Sequence, residues 1–170
     1  MAVSSIEFLS LLLAASTLYP LLPGVRSRQV ILALCNAAFL YSWIPNPLSW
    51  LFLAGFVGSG YVAGSALRAR PRRAGFAAYL GLLLAAFVVL KKYQFLDLFL
   101  PDWVLAHPVS IVGLSYMLFR QIHFVVDTMQ NQVGCPSLWS YVNYQCNLFA
   151  LLAGPIQRYQ DFRSHWERLG

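Results

Sequence analysis

The chain has 170 residues, of which 59% are hydrophobic and 11% are charged, and its mean hydropathy is +0.60. Soluble domains carry about 25% charged residues, so this composition excludes a soluble enzyme and a disordered tail and indicates a membrane protein. In a membrane protein, a formal net charge of +6 indicates the orientation of the loops and attraction to anionic lipid rather than binding to nucleic acid. Three cysteines in different segments form neither a disulfide framework nor a metal-ligand spacing.

Six largely apolar runs are candidates for membrane helices, each of which needs about 20 residues to cross a bilayer. In chain order they are Ile6 to Leu22, Val30 to Ile44, Leu48 to Leu67, Ala74 to Leu90, Ser110 to Met129 and Leu138 to Ile156. Prolines and arginines separate several of them, at Pro23-Gly24, at Pro45-Asn46-Pro47 and at residues 68–73. The predicted fold is therefore all-α, a polytopic integral membrane bundle of about six transmembrane or partly re-entrant helices.

The arginines predict an orientation but leave the end of the chain in conflict with it. Six arginines follow the first and third runs, so the positive-inside rule places those loops in the cytoplasm and the N-terminus outside. Six simple crossings would then place Arg158, Arg163 and Arg168 outside as well. Two alternatives stay open: one of the last two polar segments is re-entrant, or its arginines serve a buried site.

Small residues recur along the third run at helical spacing. Gly55, Ser59 and Ala63 are four positions apart, and Gly60 and Gly64 form a small-xxx-small pair. Helices in lipid associate where small residues let their backbones approach closely. The pattern predicts a helix-packing face, and a substrate path along the same helix is the alternative.

The fifth run carries one polar stripe, because Tyr116, Arg120, His123 and Asp127 fall at positions i, i+4, i+7 and i+11. A charge at mid-membrane costs about 2.5 kcal/mol or more, so the stripe must face protein or water. Asp127 lies one turn after His123, where its carboxylate can orient the imidazole. Three roles stay open: a buried polar clamp between helices, the lining of a substrate or acyl-donor cavity, and direct catalysis by His123.

The sixth run has a second small and polar face that ends at a proline. Its members are Ser140, Asn143, Asn147, Ala150 and Gly154. Pro155 stops a helix there, and Arg158 follows at once, where a cation can satisfy the free carbonyls of a helix that ends within the membrane. An ordinary helix end with interfacial arginines is the alternative.

These two segments resemble membrane-bound O-acyltransferases (the MBOAT family). Residues 108–127, PVSIVGLSYMLFRQIHFVVD, are similar to the segment in which a Pro-x-Gly-Ile-Ser-Phe core runs to a Tyr-x-x-Asp ending. The matching positions are Gly113, Leu114, Ser115, Tyr116, Phe119 and Asp127. Residues 152–159, LAGPIQRY, resemble the family's Ala-Gly-Pro-Ile-x-Arg motif, and the order and spacing of the two motifs agree.

Within the family the chain most resembles the alginate O-acetylation and D-alanyl-lipoteichoic-acid type, through its first residues and the segment Lys92-Tyr93-Gln94-Phe95. Arg120-Gln121 departs from that branch, which usually has less charge there. The resemblance implies transfer of an acyl group, usually acetyl, to hydroxyls of an exported polysaccharide or similar acceptor. It implies no bound cofactor and no metal, with acyl-CoA or an acyl-carrier thioester as cosubstrate.

The family's histidine base lies downstream of the Ala-Gly-Pro motif, in further helices. We therefore expect residues 1–170 to be the N-terminal membrane region of one MBOAT-type domain, inactive alone, in the bacterial cytoplasmic membrane. A C-terminal half or a second polypeptide would complete it, and polysaccharide-modification proteins are expected partners besides the lipid bilayer. His107 and His165 are interpreted as structural or exposed.

The candidate site residues serve cavity shape or motif rather than bond making, and His123 is the one candidate for catalysis. They are Gly113, Ser115, Tyr116, Arg120, His123, Asp127, Asn147, Gly154, Pro155 and Arg158. The rival hypothesis is a non-enzymatic membrane protein, either a transporter fragment or a structural subunit of an export complex. A transporter that uses Arg120, His123 and Asp127 as a relay predicts pH-dependent transport that requires His123.

Overall fold

The computed structural model describes residues 10, 13, 17, 21, 24–44, 46–92, 101, 109, 111–152 and 157–168, so most of the first predicted run lies outside the described residues. The described part is all-helical and contains no strand, which confirms the predicted fold class. Its helices are α1 (Val25–Trp43), α2 (Pro47–Ala69), α3 (Arg73–Lys91), α4 (Leu114–Met129), α5 (Leu138–Gln145), α6 (Leu148–Leu152) and α7 (Tyr159–Glu167).

Helices α2 and α3 are the two in the described part that are long and apolar enough to cross a membrane. They have 23 and 19 residues. At about 1.5 Å per residue each spans about 30 Å, the thickness of a bilayer core. Asn46 starts α2 by accepting a hydrogen bond from the Ser49 amide at 2.8 Å, and Pro47 fits the first turn. On α3 the buried residues are Leu83 and Phe87, which leaves most of its apolar surface available to lipid.

The small residues of α2 form part of its contact with α4, as the sequence predicts. A Cβ atom on Gly60 would lie 2.6 Å from Cγ of Gln121, and one on Gly64 would overlap the Phe124 ring. Gly55 has no neighbour within 4 Å of the corresponding position, so the predicted packing face is confirmed at Gly60 and Gly64 but not at Gly55.

The sixth predicted run is not one continuous helix. Helix α5 ends at Gln145 and α6 begins at Leu148. The physical reason lies in Asn147, whose side-chain oxygen accepts the Phe149 amide at 3.1 Å while its carbonyl accepts the amide of Leu151 at 3.0 Å. Asparagine favours such a helix start over a helix interior because its side chain competes for nearby backbone amides. Gly154 and Pro155, where the sequence predicts the helix end, lie outside the described residues.

One end of the bundle collects chain segments that are distant in sequence. The Gln29 side chain on α1 donates to the Trp166 carbonyl on α7 at 2.9 Å. Arg68 at the end of α2 donates to the Val133 carbonyl, which precedes α5, at 3.0 Å. We call this the arginine end, formed by the start of α1, the α2–α3 turn, the α4–α5 connection and α7. The α1–α2 turn and Lys91 lie at the opposite end.

An aromatic cluster holds α4, α5 and α7 together. The Phe124 ring on α4 lies 4.6 Å from the ring of Tyr141 and 5.3 Å from the ring of Tyr159, between centroids. Tyr144 completes the cluster at 5.3 Å from Tyr159. All four side chains are buried, so this cluster fixes α4 and α7 against α5 and positions the polar groups described next.

Candidate functional site

Arg120 on α4 binds the end of α5. Its side chain is only 1% exposed, and its Nη1 donates to the carbonyl of Tyr144 and, at 3.3 Å, to that of Gln145. The last carbonyls of a helix have no intrahelical amide to accept from, and a cation at that end also interacts favourably with the helix dipole. The guanidinium also lies 5.1 Å from the centroid of the Tyr144 ring. Arg120 therefore stabilises the end of α5 inside the bundle.

Asn36 on α1 holds the other side of the same interruption. Its Oδ1 accepts from the amide of Leu148, the first residue of α6, at 3.0 Å. Its Nδ2 donates to Oδ1 of Asn143 on α5 at 3.3 Å, and both asparagines are buried. We call this arrangement the interruption site: Asn36, Arg120, Asn143 and the backbone of residues 144–148. Asn36 was not among the predicted site residues, although a lone amide within an apolar run was a usable signal.

Gln121 is a second residue whose role was not predicted from the sequence. Its side chain is fully buried, and its Nε2 donates to the Phe56 carbonyl at 2.8 Å, to Oγ of Ser59 at 3.1 Å and to the hydroxyl of Tyr79. These partners lie on α2 and α3, so one amide ties α4 to both apolar spans. Arg120-Gln121, noted in the sequence as a departure from the resembled branch, is thus the pair that anchors α4 in two directions.

The polar stripe of α4 is partly buried, as predicted, but its members are not paired with one another. Asp127 is 4% exposed and His123 is half-buried. Within the described residues no hydrogen bond or ion pair joins these two side chains, and Nδ1 of His123 and Oδ2 of Asp127 are buried without a partner. Nε and Nη2 of Arg120 are also buried without a hydrogen-bond partner among the described residues. In folded proteins most buried polar atoms have a hydrogen-bond partner, either in the protein or in ordered water.

The other predicted site residues have simpler placements. Gly113 precedes α4 with a φ of 71°, and a side chain there would also meet Leu151 of α6. Ser115, Tyr116 and Asn147 are half-buried. Arg158 is exposed at the start of α7. At the interruption that the structure describes, the cation on the free carbonyls is Arg120 of the neighbouring helix.

A groove of about 450 Å³ lies beside the interruption site, between α1, α2 and α5. Its walls are almost entirely apolar, and Asn36, Asn143 and Cys146 contribute polar atoms where it meets the interruption. Small residues such as Ala37, Ala54 and Gly58 leave the space open. Its volume lies in the range of small-molecule sites, which are also lined mainly by apolar side chains. No cluster of metal-ligating side chains occurs among the described residues.

Comparisons with known proteins give one informative relative. No family model matches the chain, and no solved structure matches it significantly. The chain is 25% identical over 166 residues to a probable alginate O-acetylase, AlgI, of Pseudomonas fluorescens. The match covers 95% of this chain but 32% of that protein, so the chain spans about a third of the length of the curated relative. The match includes the segments that resemble the O-acyltransferase motifs and agrees with that resemblance.

Proposed function

We propose that this chain is the N-terminal portion of a membrane O-acyltransferase that transfers an acyl group, of the acetyl class, to hydroxyls of an exported polysaccharide or similar acceptor. The observation that carries the proposal is the similarity to alginate O-acetylase across 95% of the chain. The two motif segments support it, since residues 108–127 and 152–159 resemble the family's motifs in residues, order and spacing. The acyl donor would be acyl-CoA or an acyl-carrier thioester, with no resident cofactor.

The interruption site supports a role in holding polar substrate within the membrane. Irregular backbone at membrane depth is tolerated only where protein or a water-filled cavity surrounds it. Tyr141 on α5 donates to the Val57 carbonyl, eleven residues before Arg68 along α2. At 1.5 Å per residue that carbonyl lies about 16 Å from the arginine end, which is about half the bilayer core. The apolar groove and the polar interruption therefore meet near mid-membrane, where an acyl chain and a hydroxyl acceptor would have to meet.

In this proposal the described residues position substrate and helices and make no bond. Arg120 and Asn36 fix the interruption, Gln121 fixes α4 against the spans, and Asp127 and His123 offer unpaired atoms to a further partner. The general base would belong to helices downstream of this chain, in the same or a second polypeptide. Polysaccharide-modification proteins would be further partners, and the bacterial cytoplasmic membrane would be the location.

The rival hypothesis of a proton or anion relay has less support. Arg120 is engaged by two carbonyls, and no hydrogen bond links His123 with Asp127 in the part of the chain that the structure describes. A relay needs groups that pass a proton from one to the next, and in the described residues the side chains of His123 and Asp127 make no direct hydrogen bond with each other.

The test is an acyl-transfer assay in membranes that contain either this chain alone or the chain extended through its downstream coding sequence. With a radiolabelled acetyl thioester and alginate as acceptor, we expect transfer by the extended protein, none by the chain alone, and a strong loss in Arg120→Ala. His165→Ala, an exposed change on α7, is the matched control and should leave transfer unchanged. A coding sequence without further spans and without a complementing polypeptide, or proton flux through the chain alone that requires His123, would contradict the proposal.

A further inference from the structure

Helix α7 lies at the same end of the bundle as the start of α5. The Pro136 carbonyl, just before α5, accepts from the hydroxyl of Tyr61, and Nη1 of Arg163 lies 2.9 Å from the position that a Cβ atom on Gly134 would take. The hydroxyl of Tyr159, the first residue of α7, donates to Oγ of Ser140 in the first turn of α5 at 3.1 Å. The chain therefore leaves the arginine end with α5 and has returned to it by the start of α7.

Neither α5 nor α6 is long enough to carry the chain to the opposite end. They have eight and five residues, which at 1.5 Å per residue extend about 12 Å and about 8 Å against a core of about 30 Å. The interruption between them is fixed by Asn36, seven residues along α1 from the contact of Gln29 with α7. These lengths favour the re-entrant alternative for the last polar segment, and they place α7 beside the arginine loops.

The same geometry gathers arginines from three parts of the sequence. The start of α1 contributes Arg26. The α2–α3 turn and the first residue of α3 contribute Arg70, Arg72 and Arg73, and α7 with its C-cap contributes Arg163 and Arg168. We call these six side chains the arginine surface. The acidic residues of α7 are Asp161 and Glu167, and Arg163 holds Glu167 at 2.6 Å. The surface therefore keeps a strong positive charge.

The position of the arginine surface indicates what kind of partner it binds. It surrounds the end of α2 and the start of α3, the two apolar spans, so its side chains lie at the depth of lipid headgroups. Helix α7 is amphipathic, with Tyr159, Phe162 and Trp166 buried against the bundle and its charged residues turned outward, as in helices that lie in the membrane interface. Clustered arginines at this depth attract anionic lipid.

We infer that α5, α6 and α7 enter and leave the membrane at one end, and that the arginine surface this creates binds the headgroups of anionic phospholipids. The inference does not rest on the proposed function. It resolves the conflict in the charge pattern, because the arginines of α7 then lie on the same side as those of the earlier loops.

Cysteine labelling tests the topology. Cys35 and Cys146 are buried, so replacing the exposed Cys135 with serine gives a background with little accessible thiol. Single changes at exposed positions then report on each end: Ala74→Cys at the start of α3, Lys91→Cys at the opposite end and Ser164→Cys on α7. With a membrane-impermeant maleimide in sealed vesicles, we expect Ser164→Cys to label from the same side as Ala74→Cys. Labelling from the side of Lys91→Cys would overturn the inference.

Lipid selectivity tests the arginine surface. The full chain is placed in phosphatidylcholine vesicles with increasing phosphatidylglycerol, and the relative association of the two lipids is measured by tryptophan quenching with their brominated forms. We expect Arg168→Gln to weaken the preference for phosphatidylglycerol about fivefold, and added salt to weaken it for every variant. Arg168→Lys should retain the preference because it retains the charge, and Ser164→Gln, a neutral change on the same helix, should have no effect. Equal selectivity in Arg168→Gln and the starting protein would overturn the lipid assignment.

Discussion

The helix ends of the two apolar spans and those of the interrupted helix are stabilised in different ways. Helix α2 begins with a cap from Asn46, three residues before the amide that it binds. Arg120 binds the end of α5 and lies 24 residues from the carbonyl that it contacts. Asn36 binds the start of α6 and lies 112 residues from the amide that it contacts. Local signals specify the first region, whereas the second combines the local cap of Asn147 with partners from two other helices, α1 and α4. Changes in the two regions should therefore have different costs.

The largest effect is expected for Arg120→Ala. It leaves the carbonyls of Tyr144 and Gln145 buried without their donor, and we expect the free energy of unfolding to fall by about 3 kcal/mol or more. The measurement is denaturant unfolding of the purified chain in lipid bicelles. Arg158→Ala is the matched control at an exposed position and should stay within about 0.5 kcal/mol of the starting protein. Equal stability of the two variants would show that Arg120 does not stabilise the end of α5.

Two glycines of α2 offer the next comparison. A methyl group on Gly60 meets Gln121 and Tyr141, so Gly60→Ala should lower the free energy of unfolding by about 2 kcal/mol through overpacking. Gly55 has open space around it, so Gly55→Ala should raise stability by about 0.5 kcal/mol, because alanine favours a helix. The same unfolding experiment measures both. If both substitutions changed the free energy of unfolding in the same direction, the assignment of the α2–α4 contact would be contradicted.

A smaller difference is expected between the two asparagine caps. Asn46→Ala removes a local cap, which costs about 1 kcal/mol. Asn36→Ala also leaves the Leu148 amide and the Asn143 side chain without their partner, so its cost should be about 2 kcal/mol. A double-mutant cycle between Asn36→Ala and Asn143→Ala measures how far the two amides act together, and strict additivity would show that their hydrogen bond is not formed.

The smallest effect is expected on α7. The Arg163–Glu167 pair is one helical turn apart, and its side chains are 36% and 58% exposed. Exposed pairs contribute only about 0.3 kcal/mol, so Glu167→Gln should barely change the unfolding curve. A loss above about 1 kcal/mol would mean that this pair supports the packing of α7 on the bundle.

The sequence predicted what depends on composition and spacing. Apolar length identified α2 and α3, small-residue spacing identified Gly60 and Gly64, and the cost of a charge in lipid predicted that Arg120 and Asp127 face protein or water rather than lipid. The interruption at residues 146–147 was not predicted, because Asn147 fits the spacing of a polar helix face and the dipeptide has neither glycine nor proline. The roles of Asn36 and Gln121 depend on which helices become neighbours, and one sequence does not supply that information.

The interruption site also has a consequence for the order of synthesis. The carbonyls at the end of α5 and the first amide of α6 receive partners from α4 and α1, and both of those helices leave the ribosome before residues 144–148 do. Each partner is therefore already present when the broken segment emerges, so its polar backbone need not wait unpaired in the bilayer for a later part of the chain. A circular permutation that moved α4 behind α6 would keep every contact of the final bundle but lose this timing, and it should lower the yield of correctly inserted protein.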